Sequence, residues 1–243
     1  IQTAEKGMHW MKLTVAGTAG HGSMIHRDNA ITELSDAVAR LGRHTFPVRV
    51  TKTTRAFLDE LGDALGTELD PENMEGTLAK LGGIAKLIGA TLSNTANPTQ
   101  LGAGYKVNVI PGEATAHVDG RFLPGHEEEF LADLDRILGP RVKREDVHAD
   151  KAVETTFDGP LVEAMQAALV AEDPAAKAVP YMLSGGTDAK SFDDLGIRSF
   201  GFAPLKLPPE LDFAGMFHGV DERVPVDGLT FGVRVLDRFI DAA

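Results

Sequence analysis

The sequence predicts an α/β protein made of two dissimilar parts, an α+β sandwich followed by a stretch in which helices and strands alternate. Three observations predict it. Between Ala90 and Phe122, segments of alternating apolar and polar residues are separated by glycine and proline, the pattern of antiparallel strands. Helical spacing at Ile31, Leu34, Val38 and Leu41, and again over Glu127 to Leu138, supplies two helices for one face of that sheet. After FDGP, ending at Pro160, helical and strand patterns follow one another singly, as in a sheet covered on both faces.

Taken in order, Trp10 to Gly17 alternates as a strand, the loop TAGHGSMIHR follows, and Asp28 is placed to cap the first helix. Residues 46–89 read as an insertion. It holds a short β-like VRVT and two helical patterns, one on Phe57, Leu58, Leu61 and Leu65, the other on Leu78, Leu81, Ile84 and Leu87, with Gly62, Gly66, Pro71, Gly82 and Gly83 as punctuation. ATLSNT and YKVNVIP are expected strands, and EATAHVDGRF puts Ala114, Ala116, Val118 and Phe122 on one face with Thr115, His117, Asp119 and Arg121 on the other. Acidic residues open the helix at Glu127, where the helix dipole favours them. Arg141 to Thr155 closes the sheet as an edge strand. In the second part Leu161 to Ala171 is a helix with Pro160 at its start, AVPYML a strand, SGGTDA a loop, DAKSFDDLG a short helix, IRSFGFA a strand, and Val226 to Ala242 a final helix.

With 43% hydrophobic and 25% charged residues among 243, the chain can bury a substantial core. A formal net charge of -12 excludes the basic footprint of a nucleic-acid or anionic-membrane binder and leaves small molecules and peptides as partners. The absence of Cys removes disulfides and thiolate metal sites, so any zinc would be held by His and carboxylates. No apolar run has the length of a transmembrane helix. The opening IQTAEKGMHW has neither an initiator Met nor a signal-peptide apolar region, so we expect chain upstream of Ile1 and leave localisation open, with the cytoplasm favoured.

Four stretches carry candidate chemistry. His218 lies in the loop MFHGVDERVP before the last helix, either as a metal ligand or as a loop histidine satisfied by a carbonyl; Asp221 and Glu222 are near enough to orient it. SGGTDAKSF offers the amides of Gly185 and Gly186 and the hydroxyl of Thr187 ahead of a helix start at Asp188, a turn able to hold a carboxylate or merely to join strand to helix. In TAGHGS, His21 stands between glycines with little bulk around it. Arg121 has the fork to grip a carboxylate, or to pair with a strand neighbour, and Asn108 has an amide for a substrate or for the turn before Pro111. His9, His26, His44, His117, His126 and His148 lack supporting context and are expected at solvent.

The order AGHGS, NVIPGEATAHVDGRF, SGGTDA, FHGVDERVP resembles the second half of the zinc-dependent aminoacylase and carboxypeptidase family of metallopeptidases. The resemblance runs from about Trp10 to the C-terminus apart from the insertion. It implies a lid over residues 11–155 that dimerises, and over 156–243 the C-terminal part of a zinc-hydrolase α/β domain whose N-terminal part lies outside this sequence. It also implies an amide or peptide bond cut beside a free carboxylate in a peptide or N-acyl amino acid, two Zn2+ per complete site (Co2+ or Mn2+ being possible substitutes), and a homodimer formed through the lid. Residue by residue, His218 matches the last metal ligand and His21 the lid histidine that stabilises the oxyanion. Asn108, Arg121, Gly185, Gly186 and Thr187 match the groups that hold the carboxylate. The family's remaining ligands and catalytic glutamate have no counterpart, for the chain has no H-x-D and its adjacent glutamates, Glu127 to Glu129, open a lid helix. Zinc is therefore not expected to bind tightly to this chain alone. Two alternatives stand beside this: a non-catalytic dimerisation or binding module, and a serine hydrolase using Ser184 and His218, which lacks a GxSxG elbow.

Overall fold

The computed structural model describes residues 1–70, 73–80 and 85–243. In chain order its elements are β1 (Gln2–Glu5), β2 (Gly7–Ala16), β3 (Gly20–His21), α1 (Ala30–Arg43), α2 (Lys52–Leu65), α3 (Met74–Lys80), α4 (Ala85–Gly89), β4 (Thr95–Ala103), β5 (Val109–Ile110) and β6 (Glu113–Phe122). There follow α5 (Glu127–Leu138), β7 (Lys143–Asp150), β8 (Val153–Glu154), α6 (Pro160–Glu172), β9 (Tyr181–Leu183), α7 (Ala189–Asp194) and α8 (Val226–Ala242). Two compact units result, one of Lys6–Arg49 with Ser93–Ala152, the other of Ile1–Glu5, Val50–Leu92 and Val153–Ala243.

The first is the sheet unit. Its antiparallel strands lie in the order β4-β6-β2-β7, with β2 against β6 from Gly7↔Phe122 to Ala16↔Glu113. Strict alternation buries Met11, Leu13 and Val15 of β2 and Ala114, Ala116, Val118 and Phe122 of β6 on one face, where α1 and α5 cover them with Leu34, Leu41, Phe130 and Leu134. The face predicted for β6 is therefore the buried one. Gly120 belongs to that row because a Cβ there would stand 2.8 Å from both the His9 carbonyl oxygen and the Phe130 ring, so only glycine lets α5 approach the sheet. Helix α1 starts one residue later than expected: the cap is Asn29, whose side chain accepts the Ile31 amide, while Asp28 accepts from Thr18 and pairs with Arg141. The expected strand ATLSNT begins only at Thr95, and YKVNVIP keeps just Val109–Ile110 extended, with a turn over the rest.

The second unit joins the N-terminal strand to the C-terminal part of the chain, a pairing that local periodicity did not suggest. β1 lies between β8, antiparallel to it, and β9, parallel to it with Glu5 opposite Leu183. The expected strand IRSFGFA survives only as one bridge, Gln2↔Gly201. Helix α6 packs on α8 through Ala168, Phe231 and Val235. Gly228 and Gly232 sit on that buried side of α8, where a Cβ on Gly232 would meet the Pro204 carbonyl oxygen at 2.7 Å.

Of residues 46–89 only 46–49 stay with the sheet unit as expected, Phe46 in its core, while Val50–Leu92 clusters with the second unit. The reason is burial. Leu58, Leu69, Ile88 and Leu92 form their own core, the Thr53 amide donates to Glu154, the Thr3 and Thr53 hydroxyls meet at 3.3 Å, and Lys177 pairs with Glu60. VRVT forms no strand; its Thr51 instead caps α2, and Gly66 ends that helix in the left-handed conformation at φ 63. Of the second helical pattern, Leu81 and Ile84, with Pro71, Gly82 and Gly83, lie outside the described residues. The sheet unit runs from Lys6 to Ala152 rather than from 11 to 155.

Candidate active site

In the sheet unit the chain leaves β2, forms β3, and pairs it with β5 so that His21 faces Val109. The Gly22 amide donates to the Asn108 carbonyl, which sets His21 and Asn108 on neighbouring turns. The imidazole Nδ1 accepts the Ser23 backbone N–H at 3.2 Å and lies 2.9 Å from the Ser23 hydroxyl. A backbone amide can only donate, so neutral His21 carries its proton on Nε2. That N–H makes no hydrogen bond among the described residues, and His21 and Asn108 are both exposed.

Arg121 is not brought to this pair. It faces Met8 at one end of β2, whereas His21 and Asn108 follow from the other end, where Ala16 faces Glu113. At about 3.4 Å per residue those two ends are roughly 27 Å apart. Arg121 holds Asp119 in a bidentate fork at 2.6 and 2.9 Å, so the strand-neighbour pairing is the one realised. Near it Lys6 is fully buried and donates to the Ser93 carbonyl at 2.8 Å. Desolvation, followed by the Arg121 charge, lowers its pKa to about 7.

Among the histidines expected at solvent, His9 is a correction. The alternation of β2 turns it toward the helices, 3% exposed, with Nε2 2.7 Å from Asp146 and Nδ1 unpaired among the described residues. His44 is also half-buried, edge-on to Phe46.

In the second unit the loop Ser184–Asp188 joins β9 to α7. Asp188 makes no capping hydrogen bond; the Ala189 amide donates instead to the Thr187 hydroxyl. With 6 residues, α7 contributes little dipole to an anion. Thr187 spends both its donors on Glu5, the hydroxyl at 2.7 Å and the amide at 3.4 Å. The amides of Gly185 and Gly186 make no hydrogen bond among the described residues. Glu5 and Lys190, which close this arrangement from beneath, were missed by local patterning because Glu5 stands 182 residues from Thr187.

His218 is exposed on a turn between a short 3₁₀ segment at Ala214–Met216 and α8. Its backbone is left-handed at φ 59, the one non-glycine residue with positive φ among those described, and its amide donates to Glu222 at 3.1 Å. The imidazole itself is unpartnered among the described residues. No three His, Cys, Asp or Glu side chains among the described residues converge as a metal would require.

An antiparallel sheet backed by two helices, joined in sequence to a unit with parallel strands, defines a mixed α/β protein. The peptidase dimerisation domain family matches residues 3–146, and the chain belongs to that family, the dimerisation domain of M20 peptidases. It is 28% identical over 235 residues to a probable carboxypeptidase S-like 2 of Dictyostelium discoideum, covering 93% of this chain and 45% of that protein. It is 29% identical over 206 residues to a succinyl-diaminopimelate desuccinylase of Maricaulis maris, covering 78% of this chain and 44% of that protein. The fold is also that of an M20 family metallo-carboxypeptidase, Sso-CP2 of Sulfolobus solfataricus, with a TM-score of 0.60, 17% identity, and 99% of this chain against 59% of that one. The chain thus spans about half the length of the curated relatives it matches.

Proposed function

We propose that the whole protein is a zinc-dependent hydrolase that cuts an amide or peptide bond beside a free carboxylate, and that this chain supplies its dimerising lid and the C-terminal part of its catalytic domain. One observation carries the reading. His21 is locked as the Nε2–H tautomer on an exposed turn, the form a neutral imidazole needs in order to donate to an oxyanion. The carboxypeptidase and desuccinylase relatives support the reaction class.

As water attacks the scissile carbonyl, negative charge grows on its oxygen, and a fixed donor there lowers the barrier without reorganising. His21 is that donor, with Asn108 on the neighbouring turn. The Gly185 and Gly186 amides would hold the substrate carboxylate, while Thr187, its donors taken, shapes their loop. Arg121 would exchange Asp119 for the substrate carboxylate. His218 is the candidate metal ligand, since an exposed, unpartnered imidazole on a strained turn suits that role better than a structural one. The described residues alone do not fit a zinc site, because one histidine is less than the three or more protein ligands such a site needs; the rest would come from outside this chain.

A dipeptide spans about 7 Å. It cannot touch both ends of one sheet, so Arg121 and the His21–Asn108 pair would serve different active sites of a homodimer, one within its own subunit and the other across the interface. Completion of the second unit by further chain would cover Val226, Leu229, Val233, Leu236 and Ile240, an exposed apolar stripe along α8. The test is hydrolysis of N-acetyl amino acids and their C-terminal carboxamides by the purified full-length protein. Release of amino acid from the free-carboxylate series alone is expected, and turnover of neither series would end this reading in favour of a non-catalytic dimerisation module.

A further inference from the structure

We propose that Glu5 is the positioning residue of the Gly185–Thr187 loop and acts on it through Thr187; this rests on the reading that the loop holds the substrate carboxylate. Glu5 is 1% exposed at the carboxyl end of β1, beside the end of β9. A carboxylate so deeply buried needs partners for both oxygens. Oε2 accepts the Thr187 hydroxyl at 2.7 Å and the Gln2 amide at 3.1 Å. Oε1 accepts the Thr187 N–H at 3.4 Å and meets the Lys190 ammonium at 3.1 Å.

The geometry is more specific than a buried ion pair requires. Lys190 and Gln2 would suffice to neutralise and solvate the carboxylate, yet two of its four contacts go to one exposed residue in the loop. Ionised acceptors make the stronger hydrogen bonds, so Glu5 holds both donors of Thr187 down and away from solvent. The Thr187 oxygen, polarised by that bond, accepts the Ala189 N–H and starts α7 from the same point. The loop is thereby tied at its C-terminal end, and its N-terminal end continues from β9, which is paired to the strand that carries Glu5. Gly185 and Gly186 are left between two fixed ends with their amides unspent.

The experiment uses the full-length protein and four variants: Glu5→Gln, Thr187→Val, Thr187→Ser, and Glu5→Gln with Lys190→Met. Amide hydrogen exchange over Ser184 to Lys190, Tm, and kinetics on N-acetyl amino acids and their carboxamides are read for each. Thr187→Val is expected to speed exchange of the loop about tenfold or more with little change in Tm. KM for the free-carboxylate substrates should rise roughly 10- to 100-fold while kcat stays within about threefold, the loss expected for charge-assisted hydrogen bonds that position substrate. Thr187→Ser should restore both. Glu5→Gln should repeat the KM effect and also lower Tm; adding Lys190→Met removes the buried charge that Glu5 had faced, so Tm should recover at least in part while KM stays high. Recovery of KM together with Tm would reduce Glu5 to a structural ion-pair partner and overturn the proposal, as would unchanged loop exchange in Glu5→Gln and Thr187→Val. If loop exchange responds as expected but the wild-type protein hydrolyses no member of either series, Glu5 remains the anchor of the loop and it is the hydrolase reading that fails.

Discussion

The Nδ1 nitrogen of His21 accepts the backbone N–H of Ser23, two residues on, and this single contact decides which ring nitrogen carries the proton. On the hydrolase reading, removing the imidazole from the full-length protein should therefore remove a transition-state donor. His21→Ala is expected to lower kcat about 100- to 1000-fold with KM within about threefold, measured on whichever N-acetyl amino acid is turned over. A kcat equal to wild type would show that another group stabilises the oxyanion.

The separation of Arg121 from His21 along β2 and β6 makes a subunit-mixing experiment decisive. His21→Ala and Arg121→Ala homodimers should each be nearly inactive. After unfolding and co-refolding of equal amounts, half of the dimers are mixed and each mixed dimer holds one intact site, so roughly a quarter of wild-type activity should return. Mixtures no more active than their parents would place both residues in the same site.

Lys6 gives the sheet unit a pH-dependent stability. Its pKa is lowered from 10.5 to about 7 by burial and then by Arg121, so between those values the unfolded chain binds the proton and the folded chain does not. Unfolding free energy should rise as pH increases from about 7 to about 10.5, and the contribution should be lost as pH falls through 7. Urea melts across that range should show the slope in wild type and a flatter one in Lys6→Met; parallel curves would mean that Lys6 titrates normally.

Phe130 is fully buried between Phe46 and Phe122, with ring centroids 5.5 and 6.1 Å away, and closes over Gly120. Phe130→Ala opens a cavity that the sheet cannot collapse to fill, and should cost about 3–5 kcal/mol in denaturant unfolding of the sheet unit. A loss under about 1 kcal/mol would mean that α5 is not held through this ring.

The exposed stripe on α8 predicts behaviour of the 243-residue chain in solution. Replacing Leu229, Val233 and Leu236 by Ser should reduce its self-association in sedimentation experiments, and leave the α6 contact intact because Phe231 and Val235 lie on the other side of the helix. Undiminished association would move the sticky surface elsewhere.

The sequence by itself determined the elements whose periodicity reports burial directly. The inward row Ala114, Ala116, Val118 and Phe122, the helix Glu127 to Leu138 and the final helix from Val226 were legible because each buries one face, and the spacing of its apolar residues reports that face whichever element covers it. The order of the short motifs likewise identified the family, since loops that serve chemistry keep their residue types when the elements between them vary. Tertiary structure decided what depends on distant partners. β1 is a strand because β8 and β9 return to flank it, residues 50–92 join the second unit because their core and the Thr53–Glu154 contact form there, and IRSFGFA stays nearly unpaired because only Gly201 reaches Gln2. That Thr187 is spent on Glu5, Arg121 on Asp119, and His21 on Ser23 is a matter of which donors find acceptors in the folded chain, and residue type alone leaves every one of those hydrogen bonds open.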